Sequence, residues 1–168
     1  MSEEEETRQS GLETRLLYFE DFQPWMTFSS GSHMIKREDI ENFAKLTGDL
    51  NRLHMDPEYA RFAGFERGII AHGMLTLSVS LGLWHSLNLT NGTIVAFAGI
   101  NNVSFKRPVY PGDRLQLKAQ VVSTRESRSN PNVGLVTLKM TTLNAEDGSP
   151  VVEAEVVFVL RRKVRITS

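Results

Sequence analysis

Gly73-Met74-Leu75-Thr76-Leu77-Ser78-Val79-Ser80-Leu81-Gly82-Leu83-Trp84-His85-Ser86-Leu87 is the stretch on which the fold turns. It contains no Asp, Glu, Lys or Arg. Met74, Leu75, Leu77, Val79, Leu81, Leu83, Trp84 and Leu87 fall on nearly every side of a helix. A helix apolar all round has no face to give to water, so the sequence predicts one surrounded by protein. The wider segment 69–89 has the length of a membrane span. Yet His72, His85, Asn88 and several Ser and Thr interrupt it, and Gly73 and Gly82 divide it. A buried helix fits that pattern better.

After Asn91-Gly92 the period changes from helical to two. Leu115, Leu117, Ala119 and Val121 alternate with Gln116, Lys118 and Gln120, the mark of a half-buried strand. Val136, Leu138 and Met140 repeat it, as do Val152, Ala154, Val156, Phe158 and Leu160. Pro111-Gly112-Asp113, Ser129-Asn130-Pro131-Asn132 and Asp147-Gly148 mark the turns. Upstream, Trp25 to Lys36 reads as a strand, and Glu38-Asp39 opens a helix with Ile40, Phe43 and Ala44 on one face. Gly48 is placed to end that helix at Thr47 in a left-handed conformation. Residues 49–55 read as an irregular loop. Asp56-Pro57, an N-cap followed by a first-turn proline, restarts a helix that ends near Gly64. One strand, helices, then four antiparallel strands beside a single apolar helix give an α+β fold. The sheet must wrap the helix, which describes a hot-dog fold. Its open edges predict pairing into a homodimer.

The 168 residues suffice for one cored domain, expected over 18–168 behind an acidic tail at 1–17 that opens on Glu3-Glu4-Glu5-Glu6. Nineteen basic against twenty acidic residues leave a net charge of -1, no footprint for nucleic acid. With no cysteine, thiolate chemistry, disulfides and cysteine metal sites are excluded. The start of the chain lacks the apolar run of a secretory signal, and the expected compartment is the cytoplasm.

Two segments could carry chemistry. In Thr47-Gly48-Asp49-Leu50-Asn51-Arg52-Leu53-His54 a carboxylate and an imidazole stand close in a loop. Such a pair can share one water, one group taking its proton while the other delivers a proton elsewhere. A purely structural reading stands beside it: Asp49 and Asn51 cap the loop backbone and His54 bonds a carbonyl. In Gly68-Ile69-Ile70-Ala71-His72-Gly73-Met74 a glycine heads the apolar helix. Its unobstructed N–H suits developing negative charge on a thioester oxygen, although Gly73 could equally serve close packing. His33, His85 and the basic run Arg161-Arg162-Lys163 read as structural, His72 as at most an orienter of the turn before Gly73. Trp84 and Trp25 read as core or dimer contacts.

Taken together, Thr47-Gly48-Asp49-x-Asn51-x-x-His54 and Ile70-Ala71-His72-Gly73-Met74-Leu75 resemble the two hallmarks of MaoC-like proteins, the type 2 (R)-specific enoyl-CoA hydratases and 3-hydroxyacyl-thioester dehydratases. Phe105-Lys106-Arg107-Pro108-Val109-x-Pro111-Gly112-Asp113 and Tyr18-Phe19-Glu20-Asp21-Phe22 extend the likeness to residues 18–160. The resemblance implies a homodimer or higher oligomer, a coenzyme A or acyl-carrier thioester as substrate, no metal and no separate cofactor. By that likeness Asp49 and His54 bind the reacting water, Gly73 receives the thioester carbonyl and Asn51 holds the loop. The family usually carries proline after the asparagine; Arg52 here either loosens the loop or presents a charge to substrate. A hot-dog thioesterase and a non-catalytic acyl-thioester-binding module remain the alternatives to a hydratase.

Overall fold

A computed structural model describes residues 16–163. The acidic tail falls, up to residue 15, outside them. Leu17 already belongs to the fold, because its N–H donates to the Leu89 carbonyl at 2.7 Å.

Five antiparallel strands form one sheet in the order β1-β3-β4-β5-β2. They are β1 (Thr27–Met34), β2 (Ile94–Phe105), β3 (Arg114–Glu126), β4 (Val133–Asn144) and β5 (Pro150–Arg161). The helices are α1 (Arg37–Thr47), α2 (Arg52–Met55), α3 (Pro57–Phe62) and α4 (Gly73–His85). Gly48 ends α1 at φ 78, the left-handed conformation expected of it. Asp56 caps α3, accepting from the N–H groups of Glu58 and Tyr59.

The sheet wraps α4 as a hot-dog fold requires. Trp84, 1% exposed, packs edge-on against Phe28 at 5.3 Å and stacks on Phe158 at 6.2 Å. Burying each such aromatic contributes roughly 1.5–3 kcal/mol. The hydroxyls in this core are satisfied in sequence: Thr142 donates to Ser80 Oγ at 2.7 Å, and Ser80 donates to the Thr76 carbonyl at 2.8 Å.

Three expectations need correcting. First, residues 49–55 are not wholly irregular, because Arg52–Met55 forms a helical turn capped by Asn51. Second, α4 is not covered all round by its own protomer. Met74 is 57% exposed, and Ser78, Gly82 and His85 continue an uncovered stripe at helical spacing. Third, of the two places expected for Trp25, core or dimer contact, the core is excluded, because the residue precedes β1 in a turn with φ 74 and is 80% exposed. His33 in β1 and His85 at the end of α4, both read as structural, are exposed.

Candidate active site

Gly48 releases the chain from α1 and turns it into the segment Asp49–His54, which is fastened to the strand-like run before α4 by three long-range bonds. Ile70 N–H donates to the Leu53 carbonyl at 3.1 Å. His54 Nδ1 lies 2.8 Å from the Ile70 carbonyl oxygen, and His72 Nε2 lies 2.9 Å from the Asp49 carbonyl oxygen. A carbonyl oxygen only accepts, so the proton sits on Nδ1 of His54 and on Nε2 of His72. His54 therefore presents an unprotonated Nε2.

Within the loop, Asn51 Oδ1 accepts from Leu53 N–H at 3.0 Å, and Asp49 Oδ1 accepts from Asn51 N–H at 3.3 Å. These are the contacts of the structural reading, and they coexist with a functional geometry. One carboxylate oxygen of Asp49 and one nitrogen each of His54 and His72 lie within 4.8 Å of one another. A water making hydrogen bonds of about 2.8 Å to two groups bridges such a separation. The same cluster is the candidate for a metal, but the His54 and His72 rings stack at 3.7 Å with an interplanar angle of 29°. Stacked imidazoles aim their in-plane lone pairs side by side, which suits a shared ion poorly.

His54 and Gly73 line one open cleft of about 370 Å³, together with Thr76, Phe105, Lys106 and Arg107. Asp49 is exposed and is not part of that lining. Gly73 begins α4, no side chain caps the helix, and Gly73 itself lines the cleft. The close-packing reading of Gly73 has a physical basis here, because a Cβ at this position would approach the Phe105 ring to 3.0 Å.

Burial lowers the pKa of His54 from its ordinary value of 6.5. The Ile70 carbonyl opposes that shift, the neighbouring His72 adds to it, and the Asp49 carboxylate opposes it.

Arg52 anchors the loop rather than loosening it. Its guanidinium pairs with Asp56 at 2.7 Å and lies 4.3 Å from the Tyr59 ring centre, tying the loop to α3. Arg162 and Lys163 are likewise held in ion pairs, Arg162 with Glu20 and Glu126 at 2.9 Å and Lys163 with Asp21 at 2.5 Å. The sequence reading took His72 as at most an orienter of the turn before Gly73 and missed its contacts with Asp49 and His54, and it gave Phe105 no role at the site. A histidine just before the glycine that heads a buried helix was the available signal for the first; nothing local marks the second.

A family model described as the MaoC like domain matches residues 20–144. The uncharacterized protein YdeM of Bacillus subtilis is 30% identical over 143 residues, 85% of this chain and 98% of YdeM. The (R)-specific enoyl-CoA hydratase of Aeromonas caviae is 38% identical over 90 residues, 54% of this chain and 64% of that hydratase. A solved structure described as a monoamine oxidase regulatory protein from Archaeoglobus fulgius superposes with a TM-score of 0.80 at 32% identity. It covers 89% of this chain and 97% of its own. Since the matched region takes in the loop of Asp49 and His54, the glycine-headed helix and four of the five strands around it, the chain belongs to the MaoC-like dehydratase family.

Proposed function

We propose that this protein adds water reversibly to trans-2-enoyl thioesters, giving (R)-3-hydroxyacyl thioesters, with Asp49 and His54 as the acid/base pair. The observation that carries the reading is the Asp49 carboxylate within 4.8 Å of a His54 nitrogen, beside a cleft that Gly73 also lines. The named activity of the Aeromonas caviae relative supports it.

In hydration, a water held between Asp49 and His54 Nε2 loses a proton to one of them while its oxygen bonds to the β-carbon. The π-electrons move toward the thioester oxygen, where the Gly73 N–H receives the developing charge. A proton then passes to the α-carbon from the same side, and the carbonyl re-forms. Acid/base assistance of this kind is worth about 10²–10⁴-fold, and a preorganised oxyanion donor about 10²–10³-fold. Dehydration reverses each step. The scheme uses the carrier of the thioester and no further cofactor.

The working unit is a homodimer. Edge strand β2 leaves Val95 51% and Phe97 47% exposed, and the open stripe of α4 begins at Met74. A second copy laid along β2 would cover apolar surface and pair the free backbone groups together. The absence of cysteine suits the cytoplasm, and no helix among the described residues is long and apolar enough to cross a membrane.

The test is the enoyl absorbance of crotonyl-CoA, expected to fall as a 3-hydroxybutyryl thioester forms. Release of free coenzyme A would support a thioesterase instead, and binding without turnover would support a non-catalytic module.

A further inference from the structure

His72, 2% exposed at the head of α4, touches both members of the proposed pair through different surfaces. Its Nε2–H donates to the Asp49 carbonyl at 2.9 Å. Its ring stacks on His54 at 3.7 Å, and Phe43 tilts against it at 5.0 Å. Its Nδ1 is buried without a hydrogen-bond partner among the described residues. The ring is thus held in one orientation by one hydrogen bond and two ring contacts.

His54 has two restraints at right angles. The bond from Nδ1 to the Ile70 carbonyl fixes it within the ring plane. The face of His72 limits its tilt out of that plane. Asp49 is exposed and its carboxylate has no side-chain donor among the described hydrogen bonds, so its position depends on its backbone. That backbone is where His72 donates.

We infer that His72 is a positioning residue: its Nε2–H sets the Asp49 backbone and its ring face sets the His54 plane, so that the carboxylate and His54 Nε2 address one water. The inference rests on the hydration proposed above. It gives His72 no proton to transfer. A displacement near 1 Å in such an arrangement costs on the order of 10²-fold in rate, which sets the scale of the effect.

Two variants separate the two contacts. His72→Phe keeps a ring face and removes the donor; His72→Gln keeps a donor and removes the ring. Each is assayed on crotonyl-CoA for kcat and KM separately, and the His54 ring is titrated by NMR. The titratable and charged groups around His54 are Asp49, His72 and, across the cleft, Lys106 and Arg107. Lys106 pairs with Glu153 and Arg107 with Asp147. Since His72 contributes to the lowering of the His54 pKa, both variants should move its titration upward.

The expected result is a kcat drop of about 10–100-fold in each variant, with KM changed less than about threefold and a His54 titration that moves. Folded variants with kcat within twofold of the wild type would overturn the inference. So would parallel losses of kcat, KM affinity and melting temperature with an unmoved His54 titration, which mark a merely structural residue. If the wild type does not turn over crotonyl-CoA, the hydratase reading fails by itself. The titrations still decide the coupling: a His54 curve identical in wild type and both variants overturns it.

Discussion

The Nδ1 of His54 stands 2.8 Å from the backbone oxygen of Ile70, and this bond crosses from the Asp49 loop to the run that leads into α4. It fixes the tautomer, leaves Nε2 as the basic nitrogen and helps tie the two sequence hallmarks into one site. The chemistry proposed for the protein depends on that join.

A pH dependence follows. Burial holds the His54 pKa below 6.5, with the Ile70 carbonyl opposing, His72 adding and Asp49 opposing. On unfolding, the imidazole regains its ordinary value, so the unfolded chain takes up the proton first as pH falls. The stability linked to His54 is therefore present above 6.5 and lost as pH falls through the folded pKa. The acid limb of kcat/KM should lie below 6.5 for the same reason. NMR titration of the ring checks the value directly. Asp49→Asn should lower it further, because the opposing charge is gone; a rise would show that the carboxylate does not act on His54.

Substitution at the pair is the next expectation. Asp49→Asn and His54→Asn should each cut turnover of an enoyl thioester by several orders of magnitude. Because both act on one water, the double variant should be little worse than either single one. Steady-state rates of the three folded proteins check this, and near-normal turnover in either single variant would contradict it.

Arg52 gives a prediction particular to this chain. It occupies the first position of α2, just after the Asn51 cap, where proline fits without strain. Its side chain is spent on Asp56 and Tyr59. Arg52→Pro should thus leave kcat within about threefold and the melting temperature within about 2–3 °C. A large rise in KM would instead mean that the guanidinium reaches substrate.

Much of the fold could be read from the sequence because its signals are local. Gly48 stops α1, Asp56-Pro57 starts α3, and the alternation in β3, β4 and β5 has the period of a half-buried strand. The misreadings share one physical cause, the lack of a local pattern. Arg52–Met55 is too short to show a helical period. In α4 every side is apolar, so nothing marks Met74, Ser78 and Gly82 as the stripe left open. Asp49 and His54 were legible as a pair, whereas the stack of His72 on His54 joins residues eighteen apart and appears only in three dimensions.

The open stripe bears on assembly. Phe97→Asp on edge strand β2 should turn a dimer into a monomer, since an unpaired carboxylate would be buried at the joined edges. Sedimentation at micromolar concentration checks both proteins. A wild type that is already a stable monomer there would contradict the edge-to-edge dimer.

The central claim, one water between Asp49 and His54 on one face of the substrate, is tested most directly by stereochemistry. If both groups serve the same water, hydrogen and hydroxyl arrive from the same face, and a carbonyl held at Gly73 keeps the acyl chain from offering the other. Crotonyl-CoA hydrated in deuterium oxide, with the product resolved by chiral chromatography and its α-carbon read by NMR, reports both centres at once. The account predicts an (R)-3-hydroxybutyryl thioester deuterated by syn addition. A predominantly (S) product, or anti addition, would contradict it even if the protein proved to be a hydratase.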